Sequence, residues 1–135
     1  MRKKITLPLT IVNQILAHAQ SQEDNEICGL ISEKESKITS IYPIQNVSEN
    51  TENFYKMDGK AQIDAMRNMR DNNEHLYGIY HSHPHSEAYP SKTDVQQSQY
   101  PDAIYFIVSL NTKGVLDLRA YQLRKGDVDI LEVDV

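Results

Sequence analysis

The chain has 135 residues, the length of one ordinary domain, with 39% hydrophobic and 24% charged residues, a globular balance that excludes disordered and collagen-like classes. No apolar run approaches the roughly 20 residues of a membrane span, and the basic start MRKKITLPLTIVNQIL lacks the smooth apolar stretch and small-residue cleavage site of a signal peptide. A net charge of −5, with no basic cluster denser than Arg2-Lys3-Lys4, leaves no nucleic-acid footprint; the single cysteine, Cys28, rules out an internal disulfide and a cysteine zinc cage and suits a reducing cytoplasm.

Pro8 opens an amphipathic first helix, LTIVNQILAHAQSQ, with Ile11, Ile15 and Ala19 at helical spacing and Val12 and Leu16 alongside. Residues 26–32, EICGLIS, read as a strand, residues 33–36 as a polar turn, and residues 37–43 as a second strand completing a hairpin. Within the first strand, Cys28 is expected to be a small buried side chain and Gly29 to allow close backbone approach. Residues 46–53 are a polar loop, and residues 54–57, FYKM, are a short strand candidate. Asp58 is placed to cap a second helix over 59–72, whose apolar stripe is Ala61, Ala65, Met66 and Met69, and Asn72-Asn73 stops it. HLYGIYHSHP is a strand ended by Pro84. Residues 103–110, AIYFIVSL, are the most apolar run and the expected central strand, covered on both faces. Residues 116–124 and 128–133 alternate as two further strands joined at Lys125-Gly126. The whole is one mixed α/β domain over residues 1–135, with no internal repeat.

The chemistry is concentrated in HSHPHSEAYPSKTD, residues 81–94. Side chains two apart on a strand share a face, so His81 and His83 project together and Ser82 points away. Pro84 ends the strand, and Ser91-Lys92-Thr93-Asp94 opens a short helix that could return a carboxylate toward the imidazoles. Two histidines, one aspartate and a water make a tetrahedral zinc site with an open position. Ser-x-x-Asp is also the signature of a capping box, in which Ser91 and Asp94 would only start the helix. His85 and Glu87 are expected to face solvent.

The joined pattern resembles the metal motif of the JAMM (MPN-plus) metalloprotease family, H-x-H-P, a short spacer, then S-x-x-D, with an upstream glutamate that Glu26-Ile27-Cys28-Gly29 would supply. The resemblance runs through NVSENTENFYKMD, YGIYHSHP, AIYFIVSL and the terminal strands, nearly the whole chain. It implies a mixed, cytidine-deaminase-like β-sheet flanked by helices. It implies that His81, His83 and Asp94 bind Zn2+, that Glu26 takes a proton from the activated water and passes one to the leaving amine, and that Ser91 donates to the oxyanion. Glu23 and Asp24 stand in the same stretch as rival bases.

By the same resemblance, the substrate is the peptide or isopeptide bond after the C-terminal Gly-Gly of a ubiquitin-like sulfur-carrier protein, cut in the cytoplasm, with homodimerisation left open. A groove shaped by the 46–53 and 85–90 loops would take the extended tail. The alternatives are a non-catalytic MPN-type module that docks a ubiquitin-like partner, which the intact Glu26 argues against, and a zinc deaminase, which would need more than one cysteine.

Overall fold

In the computed structural model, which describes residues 3–135, the chain forms a seven-stranded sheet with three helices. In chain order these are β1 (Lys4–Thr6), α1 (Leu9–Gln20), β2 (Cys28–Lys34), β3 (Lys37–Ile44), α2 (Gly59–Asp71), β4 (His75–His83), α3 (Lys92–Gln97), β5 (Ile104–Ser109), β6 (Asp117–Arg124) and β7 (Asp127–Asp134). The strand order is β1-β7-β6-β5-β4-β2-β3. The β4–β5 and β1–β7 pairs are parallel and the rest antiparallel, which is the expected mixed sheet.

Both predicted hairpins form, and each turns on two residues with positive φ: Glu35 and Ser36 at 52° and 66°, Lys125 and Gly126 at 51° and 82°. That backbone matches the right-handed twist of the flanking strands. The first helix buries Ile11, Val12, Ile15 and Ala19 on one face. Each large branched side chain of this set contributes roughly 1.5–3 kcal/mol through its removal from water. Asp58 caps α2 as expected, its Oδ2 accepting from the Ala61 N–H at 3.0 Å. Ala65 and Met69 are buried beneath α2, while Ala61 and Met66 are only partly covered.

Two expectations need correction. Residues 54–57 do not form a strand: only Met57 pairs, as a lone bridge to Asn46, because the segment is tied to its own loop by the Asn46 side chain and by main-chain bonds to Val47 and Asn50. And β1 was not foreseen. Three residues are too few to show a readable alternation, and their conformation comes from pairing with β7, Ile5 opposite Val133.

The sheet has a core on each face. Alternation along β5 sends Ile104, Phe106 and Val108 to the α1 side and Tyr105 and Ile107 to the α2 side, so β5 is doubly covered as predicted. The same alternation on β4 sends Tyr80 to the α1 side and Ile79 to the α2 side. Gly29 lies opposite Tyr80 in the register, and a Cβ there would fall 2.4 Å from the tyrosine ring. The close approach expected of this glycine is therefore to a buried phenol, whose hydroxyl is 2.8 Å from His18 Nδ1.

Candidate metal centre

The C-terminal end of β4 carries His81 and His83 on one face, 1% and 4% exposed. Ser82 points to the other side, where its Oγ accepts from the Ile27 N–H at 2.9 Å. After Pro84 the chain crosses β5 and β6. Ser109 Oγ donates to the Ser86 carbonyl at 2.6 Å, and the Tyr121 hydroxyl donates to the Ala88 carbonyl. This tethered crossing delivers Ser91 to the start of α3, and Asp94 swings back to the histidines. Ser91 and Asp94 form a complete capping box. The capping and clustering readings of this motif are therefore both realised, by the same two residues.

His81 Nε2, His83 Nε2 and Asp94 Oδ2 form a triangle with all three sides 3.1 Å. Bond lengths of about 2.0–2.1 Å to a tetrahedral zinc would separate such donors by roughly 3.3 Å. His83 Nδ1 lies 2.8 Å from the Glu87 carbonyl. A carbonyl only accepts, so Nδ1 carries the proton and the neutral ring offers a bare Nε2 to the cluster. The Glu87 side chain is exposed, as expected, but its main chain thus has a role that sequence reading missed. Tyr55, also missed, stacks on His81 with ring centroids 4.4 Å apart. His81 Nδ1 is buried and has no partner among the described residues.

Glu26 completes the group. Its donor atom and those of His81, His83 and Asp94 lie within 4.8 Å of one another. Its side chain is buried, and Oε1 has no hydrogen-bond partner among the described residues. Burial, reinforced by the Asp94 carboxylate and opposed by His83, pushes its pKa up from 4.5 to about 8. Burial would raise Asp94 as well, but the His81 charge and the hydrogen bonds from His81, His83 and Ser91 outweigh it and hold this carboxyl well below the usual range. For His83, burial lowers the pKa, yet bonding to Asp94 and to the Glu87 carbonyl raises it overall.

Three Lewis-basic atoms converging on one point, beside a buried carboxylate with no partner, fit a divalent cation. Glu26 lies two residues ahead of β2 rather than in it. Its main chain is held by the Thr51 carbonyl, which accepts from Glu26 N–H at 2.7 Å, and by the Asn46 side chain. Glu23 and Asp24 are exposed and stand outside the cluster. His85 is exposed and 3.7 Å from Asp24. Cys28 is fully buried, its Sγ donating to the Ile44 carbonyl at 3.4 Å. Burial, then the Glu26 charge, pushes the thiol up to about 12, which leaves it inert as a nucleophile.

A groove of about 1020 Å³ leads away from Asp94, with Val47, Phe54 and Tyr55 on one wall and Gln97 and Tyr100 on the other. The 46–53 loop lines it, as expected. The 85–90 loop does not, because its bonds to β5 and β6 hold it down on the sheet.

This arrangement of sheet, helices and clustered donors is that of a JAB/MPN-type domain. Residues 8–124 match the prokaryotic homologs of the JAB domain, and the chain belongs to that family. It is 36% identical over 127 residues to the CysO-cysteine peptidase of Mycobacterium tuberculosis, covering 93% of this chain and 86% of that one. It is 26% identical over 112 residues to the desampylase of Haloferax volcanii, covering 78% and 81%. A solution structure of a Desulfitobacterium hafniense protein overlays with a TM-score of 0.85 at 29% identity, covering 96% of this chain and 90% of that one. This kinship places the chain among the JAMM-type peptidases. Among the described residues no helix is long and apolar enough to cross a membrane.

Proposed function

We propose that this chain is a zinc-dependent cytoplasmic metallopeptidase that hydrolyses the peptide or isopeptide bond after the C-terminal Gly-Gly of a ubiquitin-like sulfur-carrier protein. The observation that carries the reading is the 3.1 Å donor triangle set beside an unpartnered buried carboxylate. The substrate class is supported by the relative whose name is CysO-cysteine peptidase.

His81, His83 and Asp94 would hold the zinc, which when bound lowers the pKa of water to about 7 and polarises a carbonyl. Glu26 takes the proton of the attacking water and delivers it to the leaving nitrogen, which departs poorly as an unprotonated amine. Its burial and lack of a competing partner keep it committed to that shuttle. Ser91 Oγ accepts from the Asp94 N–H, so its own proton is free to be donated to the oxyanion. The groove, with Tyr55 on its wall next to His81, would seat the carrier tail in extended form.

The test is elemental analysis and turnover together, on a carrier extended past Gly-Gly by a short peptide. About one zinc per chain is expected. Glu26→Gln should keep the metal and lose at least ~100-fold in turnover. Wild-type protein that binds zinc and the carrier but never cuts it would leave a docking module in place of an enzyme.

A further inference from the structure

We infer that Asn46 is a positioning residue that aims Glu26 and registers the groove wall to it, an inference that rests on the function proposed above. All of the hydrogen-bonding capacity of this side-chain amide is used, and every partner is main chain. Nδ2 donates to the Glu26 carbonyl at 2.8 Å and to the Phe54 carbonyl at 2.9 Å. Oδ1 accepts from the N–H groups of Ser48 and Lys56, both at 3.0 Å. One residue therefore clamps the backbone of the general base to the backbone of the wall that includes Val47, Phe54 and Tyr55.

The clamp has consequences for Glu26 in particular. Residues inside β2 are oriented by ladder bonds on both sides, to β3 and β4, but Glu26 precedes that ladder. Its main-chain bonds go to Thr51 and Asn46, and its Oε1 is held by no partner among the described residues. Its direction is thus set by main-chain anchors and packing. Asn25 Oδ1 adds a parallel tie, accepting from Thr51 Oγ1 at 2.6 Å. The metal-ligand candidates stand on β4 and α3, whose supports are the sheet, the Glu87 carbonyl and the capping box. None of these involves Asn46. His81 also stacks on Tyr55 of the wall, but its backbone is fixed in β4 between β2 and β5, so loss of the clamp moves the base and the wall while β4 and α3 keep the donor triangle.

Asn46→Asp breaks the donating side of the clamp, which holds the Glu26 carbonyl and one point of the wall. It keeps both accepted bonds to the wall, loses both donated bonds, and sets a carboxylate against the Glu26 and Phe54 carbonyls. Misplacing a catalytic group by ~1 Å can cost on the order of 100-fold. The expected result is a kcat roughly 10- to 100-fold lower, a KM within about 3-fold, and wild-type zinc content. Crystal structures of wild type and variant should show the Glu26 carboxylate displaced while His81, His83 and Asp94 superimpose. Thr39→Ala, which removes only a bond to the Lys37 carbonyl on the exposed strand β3, should leave kcat unchanged. If Asn46→Asp does not fold, Asn46→Ser carries the same comparison. Unchanged kcat in a folded variant, an unmoved Glu26, or a kcat loss that tracks zinc loss would each overturn the inference. The crystallographic arm stands even without turnover, and Glu26→Gln with full activity would sink the proposed function instead.

Discussion

Ser91 and Asp94 hold each other by two reciprocal hydrogen bonds: Asp94 Oδ2 accepts from the Ser91 N–H at 2.9 Å, and Ser91 Oγ accepts from the Asp94 N–H at 3.0 Å. The same Oδ2 faces both imidazoles at 3.1 Å. The capping box thus fixes the carboxylate from behind, as outer partners of metal ligands do.

This double duty can be taken apart by substitution. Ser91→Ala should cost about 1 kcal/mol, the usual worth of an N-cap, keep its zinc, and lose turnover through the missing hydroxyl. Asp94→Ala should lose the metal as well as the cap. Denaturant titrations with and without zinc, beside metal content, read both effects. Equal zinc retention in the two variants would return Asp94 to a purely structural role.

The zinc-free protein should lose stability as pH rises toward 8. Glu26 has its pKa raised from 4.5 to about 8 by burial, so the native state keeps a proton that the unfolded chain gives up. Its contribution is complete below 4.5 and is lost as pH climbs through about 8. His83 acts in the same direction, because its pKa is also raised on balance: burial lowers it, but the bond to Asp94 more than compensates. Asp94, held low, matters only at the acid end, where its contribution disappears as pH falls. Thermal melts of chelated protein across this range should show the decline, and Glu26→Gln should flatten part of it. Stability that climbs over the same interval would contradict the assignment.

Two glycines should respond oppositely to alanine. At Gly29 the new Cβ meets the Tyr80 ring at 2.4 Å, and that ring is buried and tied to His18. Overpacking of this kind costs about 1–3 kcal/mol. At Gly59, the first residue of α2, nothing lies within 4 Å, and the gain should be about 0.5–1 kcal/mol. Equilibrium unfolding of the two variants side by side settles the comparison.

The histidine pair was legible because strand alternation is local: two residues apart on β4 means one face, whatever surrounds it. Glu26 and Asp94 could be named from a motif, but their convergence depends on how β2 lies beside β4 and how the 84–90 crossing is tied to β5 and β6. Those ties come from Ser109 and Tyr121, distant in sequence and unremarked there. Asn46 read as one polar residue in a polar loop, since its value lies in four main-chain partners brought together only by the fold. The misread strand at 54–57 has the same origin: FYKM has β-forming side chains, yet it is held by the Asn46 amide and by main-chain bonds to Val47 and Asn50 within its own loop. Nor could composition show that the 85–90 loop lies pinned rather than lining the groove.

The third helix has six residues and buries none of them outright. Isolated helices shorter than roughly 12–15 residues are marginal in water. What keeps α3 wound is its cap, the packing of Val95 on the α2-side core and the grip of Asp94 on the two imidazoles. Helix and donor cluster are consequently one cooperative unit, and Gln97, further along the helix, forms part of the groove. Whatever strengthens the hold on Asp94 stiffens the surface that receives a substrate, and whatever loosens it slackens that surface. Recognition and chemistry share a single thermodynamic hinge, six residues long.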